Sequence, residues 1–480
     1  MAPRSRLLRA CYGGTETMRA MVEEFLPQYD RETDDRYDVR LASTFALNKL
    51  REAVDAASAK PFRSLVKVEN GDPDLRTWIE DVDLQGNHLH VFAHRFFNEA
   101  MLIGQAHILA DHPSTKHYPN LKAQRQSGAR PFLKLIRDED LVAAYTEYVG
   151  GDAQVVHARI RDSRVVRDLD FKEVRYNQIW VIEKEPGTEQ GVVQLWEQEA
   201  SAGSGGQWSL VGEERITLSE VPLATLHAGD KEGDFVTRPV FLDLAYKQVE
   251  HWISSSDQRS ILSAARFPML ACSGVQLDPE DEAGFAIGPF KVLYAPDANG
   301  RWYFVEPKGT AIDSGLKDLQ NLEMHMDMMA LNPVQATHRQ YVAKNERDIQ
   351  ETRVHSVVHD LAIGCQDAVE RALRFMGNWS GKDYGSVRVL LNTGFSNTVD
   401  KVQELGMLLN AVKVGAISRK TFLQEAQNRS LLGEEFSLDE ELKALEDVKL
   451  AATSIQESVN RTEDREADFP DKAERPTRQI

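Results

Sequence analysis

Two prolines fence the middle of this 480-residue chain. Pro268 stops the helical run "LDLAYKQVEHWISSSDQRSILSAARF", and Pro333 stops a second, "SGLKDLQNLEMHMDMMALN". Proline lacks the backbone N–H and crowds the preceding turn, so neither helix can run through it. Between them lie "MLACSGV", "FAIGPFKVLYAP" and "RWYFVEPKG", with turns at Gly288-Pro289 and Asn299-Gly300, which read as a small β block. The chain goes out along one helix, makes a β excursion and returns along another. The first helix, read over Leu242–Phe267, carries Leu242, Ala245, Val249, Trp252, Ile253, Ser256, Ser260 and Ala264 on one stripe. Its middle nonetheless holds Ser254, Ser255, Ser256 and Asp257. Serine costs a few tenths of a kcal/mol against alanine in a helix, which packing can offset. The second helix is read from Ser314, whose hydroxyl can cap it, to Asn332-Pro333.

Around this centre, residues 1–150 read as mostly helical, with "TETMRAMVEEFLP", "RYDVRLASTFALNKLREAVDAASAKPF" and "HLHVFAHRFFNEAMLIGQAHILADHP", the last ending at Asp111-His112-Pro113. From about Gly151 to Val236 the pattern changes to short β-like runs in antiparallel hairpins, separated by turns such as Pro186-Gly187 and "SAGSGG". Past Pro333 come the polar "VQATHRQYVAKNERDIQE", the amphipathic "TRVHSVVHDLAIGCQDAVERALRFMG", the extended "SVRVLLNTGF" and further helices across Asn397–Glu457. The tail "NRTEDREADFPDKAERPTRQI" is too polar to fold alone.

Most catalytic readings fail on spacing. His90 and His94 are four apart on a helix and suggest a metal-dependent hydrolase, but Val91 and Phe92 stand where HExxH motifs place the glutamate and its neighbour. His88 falls on another face, and a packed helix is the expectation. There is no P-loop, no nucleophile elbow and no dinucleotide fingerprint. Asp72, Asp74, Asp81 and Asp83 lack EF-hand spacing and suit helix caps and first-turn charges. Met324, Met326, Met328 and Met329 suit adaptable packing against a helix. The three cysteines, Cys11, Cys272 and Cys365, form no CxxC pair, so neither a disulfide framework nor a cysteine zinc site is expected. No cofactor is expected. A net charge of −18 disfavours general wrapping of DNA or anionic membranes, while permitting a surface that DNA slides past. Neither a signal peptide nor a membrane span is expected.

The order helix, β excursion, helix and polar loop resembles the portal proteins of tailed bacteriophages. The resemblance rests on "PVFLDLAYKQVEHWISSSDQRSILSAARFPMLACSG", "IGPFKVLYAPDANGRWYFVEPKGTAI" and "DSGLKDLQNLEMHMDMMALNP". It extends upstream to "WIEDVDLQGNHLHVFAHRFFNEAMLIGQAHILADHP" and "RPFLKLIRDEDLVAAY" and downstream to "AISRKTFLQEA", covering most of residues 10–450 in unbroken order. It implies an α+β portal fold and a ring oligomer, usually of twelve subunits, at one vertex of the viral head. DNA would enter and leave through the axial channel, driven by a separate terminase. On that mapping residues 1–150 are a helical wing, 151–236 a β-rich wing, 237–267 and 313–332 the stem helices, and 268–312 a clip that docks terminase and later head–tail adaptors. Residues 333–351 are a tunnel loop, 352–396 a wing helix and strand, 397–457 a crown and 458–480 a charged tail. The major capsid or a scaffolding protein is a further implied partner. The implied location is the portal vertex of the virion, and the host cytoplasm during assembly.

Helices ringed around a channel need small residues where backbones approach and polar ones where they meet water. Ser254, Ser255, Ser256, Asp257, Gln258 and Arg259 are therefore expected at a subunit contact, a heterologous one that rotation closes. Lys317, Asp318, Glu323 and Asp327 are expected on the channel wall, with Arg339, Lys344 and Arg347 best able to touch phosphates. The implied role is a conduit without catalytic residues. The alternatives are another head–tail ring component and the histidine-based hydrolase.

Overall fold

In the computed structural model, the structure describes residues 2–114, 127–167, 171–185, 188, 190–199, 206–217, 219–266, 269–273, 299–305, 309–330, 344–393 and 398–428, with 438, 441, 443 and 444. The fold is mixed α+β with open sheets. The chain separates into two compact units, residues 1–393 and 394–480.

The first unit opens with helices α1 (Ala2–Gly13), α2 (Thr15–Ala20), α3 (Val22–Phe25), α4 (Asp34–Ser43) and α5 (Lys49–Ala59). Strand β1 (Lys67–Glu69), α6 (Pro73–Trp78) and α7 (Leu89–Ile103) follow. The Asp72 side chain caps α6 by accepting from the Leu75 N–H, as its position predicts. Strands β2 (Gln105–Asp111), β3 (Phe132–Ile136) and β9 (Leu223–His227) form a three-stranded antiparallel sheet with β2 in the middle. Strands β4 (Leu141–Val149), β5 (Asp152–Arg167), β6 (Glu173–Lys184), β7 (Gln190–Glu199) and β8 (Ser209–Thr217) form a five-stranded antiparallel meander. The two sheets meet over Leu109, Ile136, Ala158, Ile160, Ile182 and Leu223, with Trp180 and Trp379 partly buried against them.

The ribbon β10 (Gly229–Gly233) and β11 (Val236–Pro239) leads into helix α8 (Leu242–Ala265). Strands β12 (Met269–Ser273) and β13 (Arg301–Val305) pair antiparallel, Met269 opposite Val305, and helix α9 (Gly309–Met329) returns. Helix α10 (Lys344–Ser380) then packs on the three-stranded sheet, and β14 (Arg388–Leu390) pairs with β1. The second unit holds α11 (Thr398–Lys413) and α12 (Arg419–Asn428), the latter opened by Ser418, which accepts from the Thr421 N–H.

The out-and-back reading around Pro268 and the antiparallel hairpins of 151–236 match these elements. Three expectations need correction. Residues 1–150 are not helical throughout: α7 ends at Ile103 because Gly104 takes φ 99°, and the apolar run after it is β2. A central strand buried on both faces shows no alternation, which let it pass as a helix continuing. The "RPFLKLIRDEDLVAAY" segment likewise supplies β3 and most of β4. Helix α9 begins at Gly309, five residues before the expected cap, and Ser314 instead donates to the Thr310 carbonyl within the helix. Residues 344–351 of the expected tunnel loop are the first turns of α10. The remainder of that loop lies outside the described residues, as do "FAIGPFKVLYAP" and the tail from 458.

Candidate functional site

Helices α8 and α9 form an antiparallel pair whose register is fixed by three polar rungs. His251 Nε2 lies 3.3 Å from Glu323, Ser254 Oγ 3.5 Å from Asp318, and Gln258 Nε2 donates to the Ile312 carbonyl at 2.9 Å. Apolar contact fills the seam between rungs. On α9, Leu322 and Met326 are buried four residues apart, followed by the buried Ala330 just past the helix end. At Gly315 a Cβ would lie 2.1 Å from Gln258 Oε1, so the absence of a side chain there lets the Gln258 amide reach α9.

The root of the pair is pinned to the N-terminal helices. Gln248, fully buried, accepts from the Leu50 N–H of α5 at 2.9 Å and donates to the Cys11 carbonyl of α1 at 2.8 Å. Lys49 reaches Asp327 at 2.9 Å, and Tyr29 donates to Asp257. Burial and that carboxylate push the Tyr29 phenol up to about 12. At the other end, the β12–β13 hairpin exposes Tyr303, Phe304 and Val305.

The residues expected on the channel wall divide. Lys317 and Asp318 are exposed, whereas Glu323 and Asp327 turn inward to His251 and Lys49. Those expected at a subunit contact divide too. Ser256 and Gln258 are buried within this chain and Asp257 is engaged by Tyr29. Ser254 and Ser255 are half-buried, and Arg259 is exposed with its guanidinium 5.9 Å from the Phe45 ring. Lys344 and Arg347 lie in the first turn of α10, and Arg339 falls outside the described residues. The spacing did not flag Gln248, Lys49, His251 or Tyr29. Gln248 did carry a signal, a polar residue three after Ala245 and four before Trp252 on the buried stripe.

The histidines of α7 pack. Phe62 stacks on His94 with centroids 5.0 Å apart and meets His90 edge-on at 5.7 Å. Burial lowers the His94 pKa, and the His88 ring accepts from the His90 N–H as the helix N-cap. Among the described residues no three His, Cys, Asp or Glu side chains are grouped to hold a metal ion. Cys11 is buried and its thiol is pushed up to about 12, which keeps it protonated and unreactive. Of the methionines, Met326 is buried in the seam while Met328 and Met329 are exposed. Among the described residues no helix is long and apolar enough to cross a membrane.

Residues 240–380, which run from the start of α8 to the end of α10, match a family described as a domain of unknown function (DUF4055). No curated protein sequence matches the chain. Among solved structures, the chain is similar to a component of the virion of a native gene transfer agent particle, at 12% identity and TM-score 0.40, over 84% of this chain and 97% of that one. It is also similar to a component of the neck of an empty particle of that kind, at 11% identity and TM-score 0.43, over 80% and 89%. A third is a component of the native particle's neck, computed with C12 symmetry, at 12% identity and TM-score 0.39, over 87% and 99%. Likeness at these scores carries no argument about individual elements.

Proposed function

We propose that this chain is a portal-type subunit of a tailed phage or phage-like particle, forming a ring, with twelve copies the expected number, at one vertex of the head. The observation that supports this most is the α8–β12–β13–α9 excursion: two polar-faced helices locked in register, a root pinned into the N-terminal helices, and a strand pair with exposed aromatic side chains. In this reading the helices line or flank a channel for double-stranded DNA, and the strand pair docks a terminase and later a head–tail adaptor. The protein is a conduit rather than an enzyme and needs no cofactor. It contacts the capsid or a scaffolding protein at the vertex, assembles in the host cytoplasm and stays with the virion. DNA is held without sequence specificity: an acidic chain of net charge −18 resists sticking, while a few cations at Arg339, Lys344 and Arg347 brake the duplex through its phosphates.

The test is in the particle. With Arg339, Lys344 and Arg347 all changed to glutamine, heads should still form around the protein, but packaged DNA should leak or fill incompletely. Unchanged DNA content and retention would refute the brake, and particles that package normally without this protein would refute the portal reading.

A further inference from the structure

Where the end of β2 meets the inner face of the meander and α10, a cleft of about 650 Å³ opens, lined by Pro113, Phe132, Trp180, Leu195, Trp379 and Asp111. That size suits a small ligand. Its floor continues into a smaller apolar cavity that again borders Asp111, Trp180 and Trp379. Two polar groups at this floor are poorly served, and they call for opposite partners. The Trp180 indole N–H is a buried donor without a partner among the described residues; an ammonium cannot satisfy it and meets Trp180 only through its ring. The Asp111 carboxylate accepts from the adjacent His112 N–H at 2.8 Å. Its neighbouring cation, Lys134, is spent on Asp162, and burial raises the Asp111 pKa. Trp379 differs, since its N–H donates to the Ala110 carbonyl at 3.0 Å and holds the ring in place. Glu214, bonded by Ser114, adds a second carboxylate on the lining.

We propose that this cleft binds a small primary ammonium carried on an apolar stem, the charge paired with Asp111 and the stem enclosed by Trp180 and Trp379. Aromatic faces attract cations, and a carboxylate in apolar surroundings gains most from a hydrogen-bonded counter-charge. An anion would face both carboxylates, and Arg215, which also lines the cleft, lies 4.0 Å from Glu185; His112 lines it as well. A neutral apolar molecule would leave Asp111 unpaired.

Calorimetric titration of the full chain with n-pentylammonium and with 1-pentanol tests this. Pentylammonium should bind at least tenfold more tightly than pentanol, and Asp111→Asn should erase that preference while leaving the circular dichroism spectrum and pentanol binding unchanged. Equal affinity for the two probes, or full pentylammonium affinity in Asp111→Asn, would overturn the proposal. So would binding of neither. Should Asp111→Asn fail to fold, the ratio of the two probes on the unmodified chain still decides.

Discussion

Gln248 serves two backbone groups, the Leu50 N–H and the Cys11 carbonyl, the second of which also accepts from the Gly14 N–H at 3.2 Å. The Leu50 N–H lies in the first turn of α5, where helix donors have no partner within the helix. Gln248→Leu keeps the volume but strands that donor, while the Cys11 carbonyl keeps the Gly14 N–H, so it should cost about 1–3 kcal/mol in chemical denaturation. An unchanged midpoint would show that water or a shifted side chain takes over. A second prediction concerns pH. Burial, helped by Lys231, pushes His227 down to about 4. Thr237 gives its proton to Gln105, so His227 Nδ1 is the donor to Thr237. The folded state holds this ring neutral, and the unfolded chain takes up the proton first as pH falls. Stability should therefore drop from about pH 6.5, the unperturbed value, down to about 4 and then level, by on the order of 1–2 kcal/mol after discounting for partial exposure. His227→Gln should flatten that stretch of the urea-denaturation profile, and an equally steep profile in the variant would assign the slope to other groups such as His94.

Gly104 sets where α7 stops and β2 starts. Its φ of 99° disfavours any side chain, and a Cβ would sit 3.1 Å from the Pro239 backbone. Gly104→Ala should cost about 1–3 kcal/mol and lower the melting temperature, and a neutral outcome would mean the β10–β11 ribbon gives way. On α9, by contrast, Lys317→Ala should leave the stability of the isolated chain within about 0.5 kcal/mol, because the side chain is exposed. A larger loss would place it in a contact that the single chain does not show. These elements also mark how far the sequence is readable. Helices α8 and α9 are set by local signals, Pro268 and a helical stripe, and the meander by alternation and turn residues, whereas β13 pairs with β12 and not across Asn299-Gly300 with a strand just before it. Strand β2 escaped because burial on both faces erases its period. The start of α10 escaped because "KNERDIQE" has no apolar stripe. The pins at the hairpin root escaped because Gln248 and Lys49 meet partners some two hundred residues away or more, a pairing no local pattern encodes.

Among the described residues, every sheet pairing, the α8–α9 hairpin and its anchoring helices lie within residues 1–393. A chain cut after 393 should therefore unfold cooperatively, with a melting temperature close to that of the full protein. Broad, non-cooperative melting would show that residues 394–480 are needed for the fold. Among the described residues, the exposed side of α9 and the Tyr303, Phe304 and Val305 side chains of β13 are left uncovered. Mass photometry with electron microscopy of the purified 54.1 kDa chain measures most directly whether it forms a ring. A portal-type subunit should give closed rings with a central hole, about 650 kDa for twelve copies of 54.1 kDa. A single population of compact 54.1 kDa monomers at micromolar concentration, with no ring in any field, would contradict the portal reading.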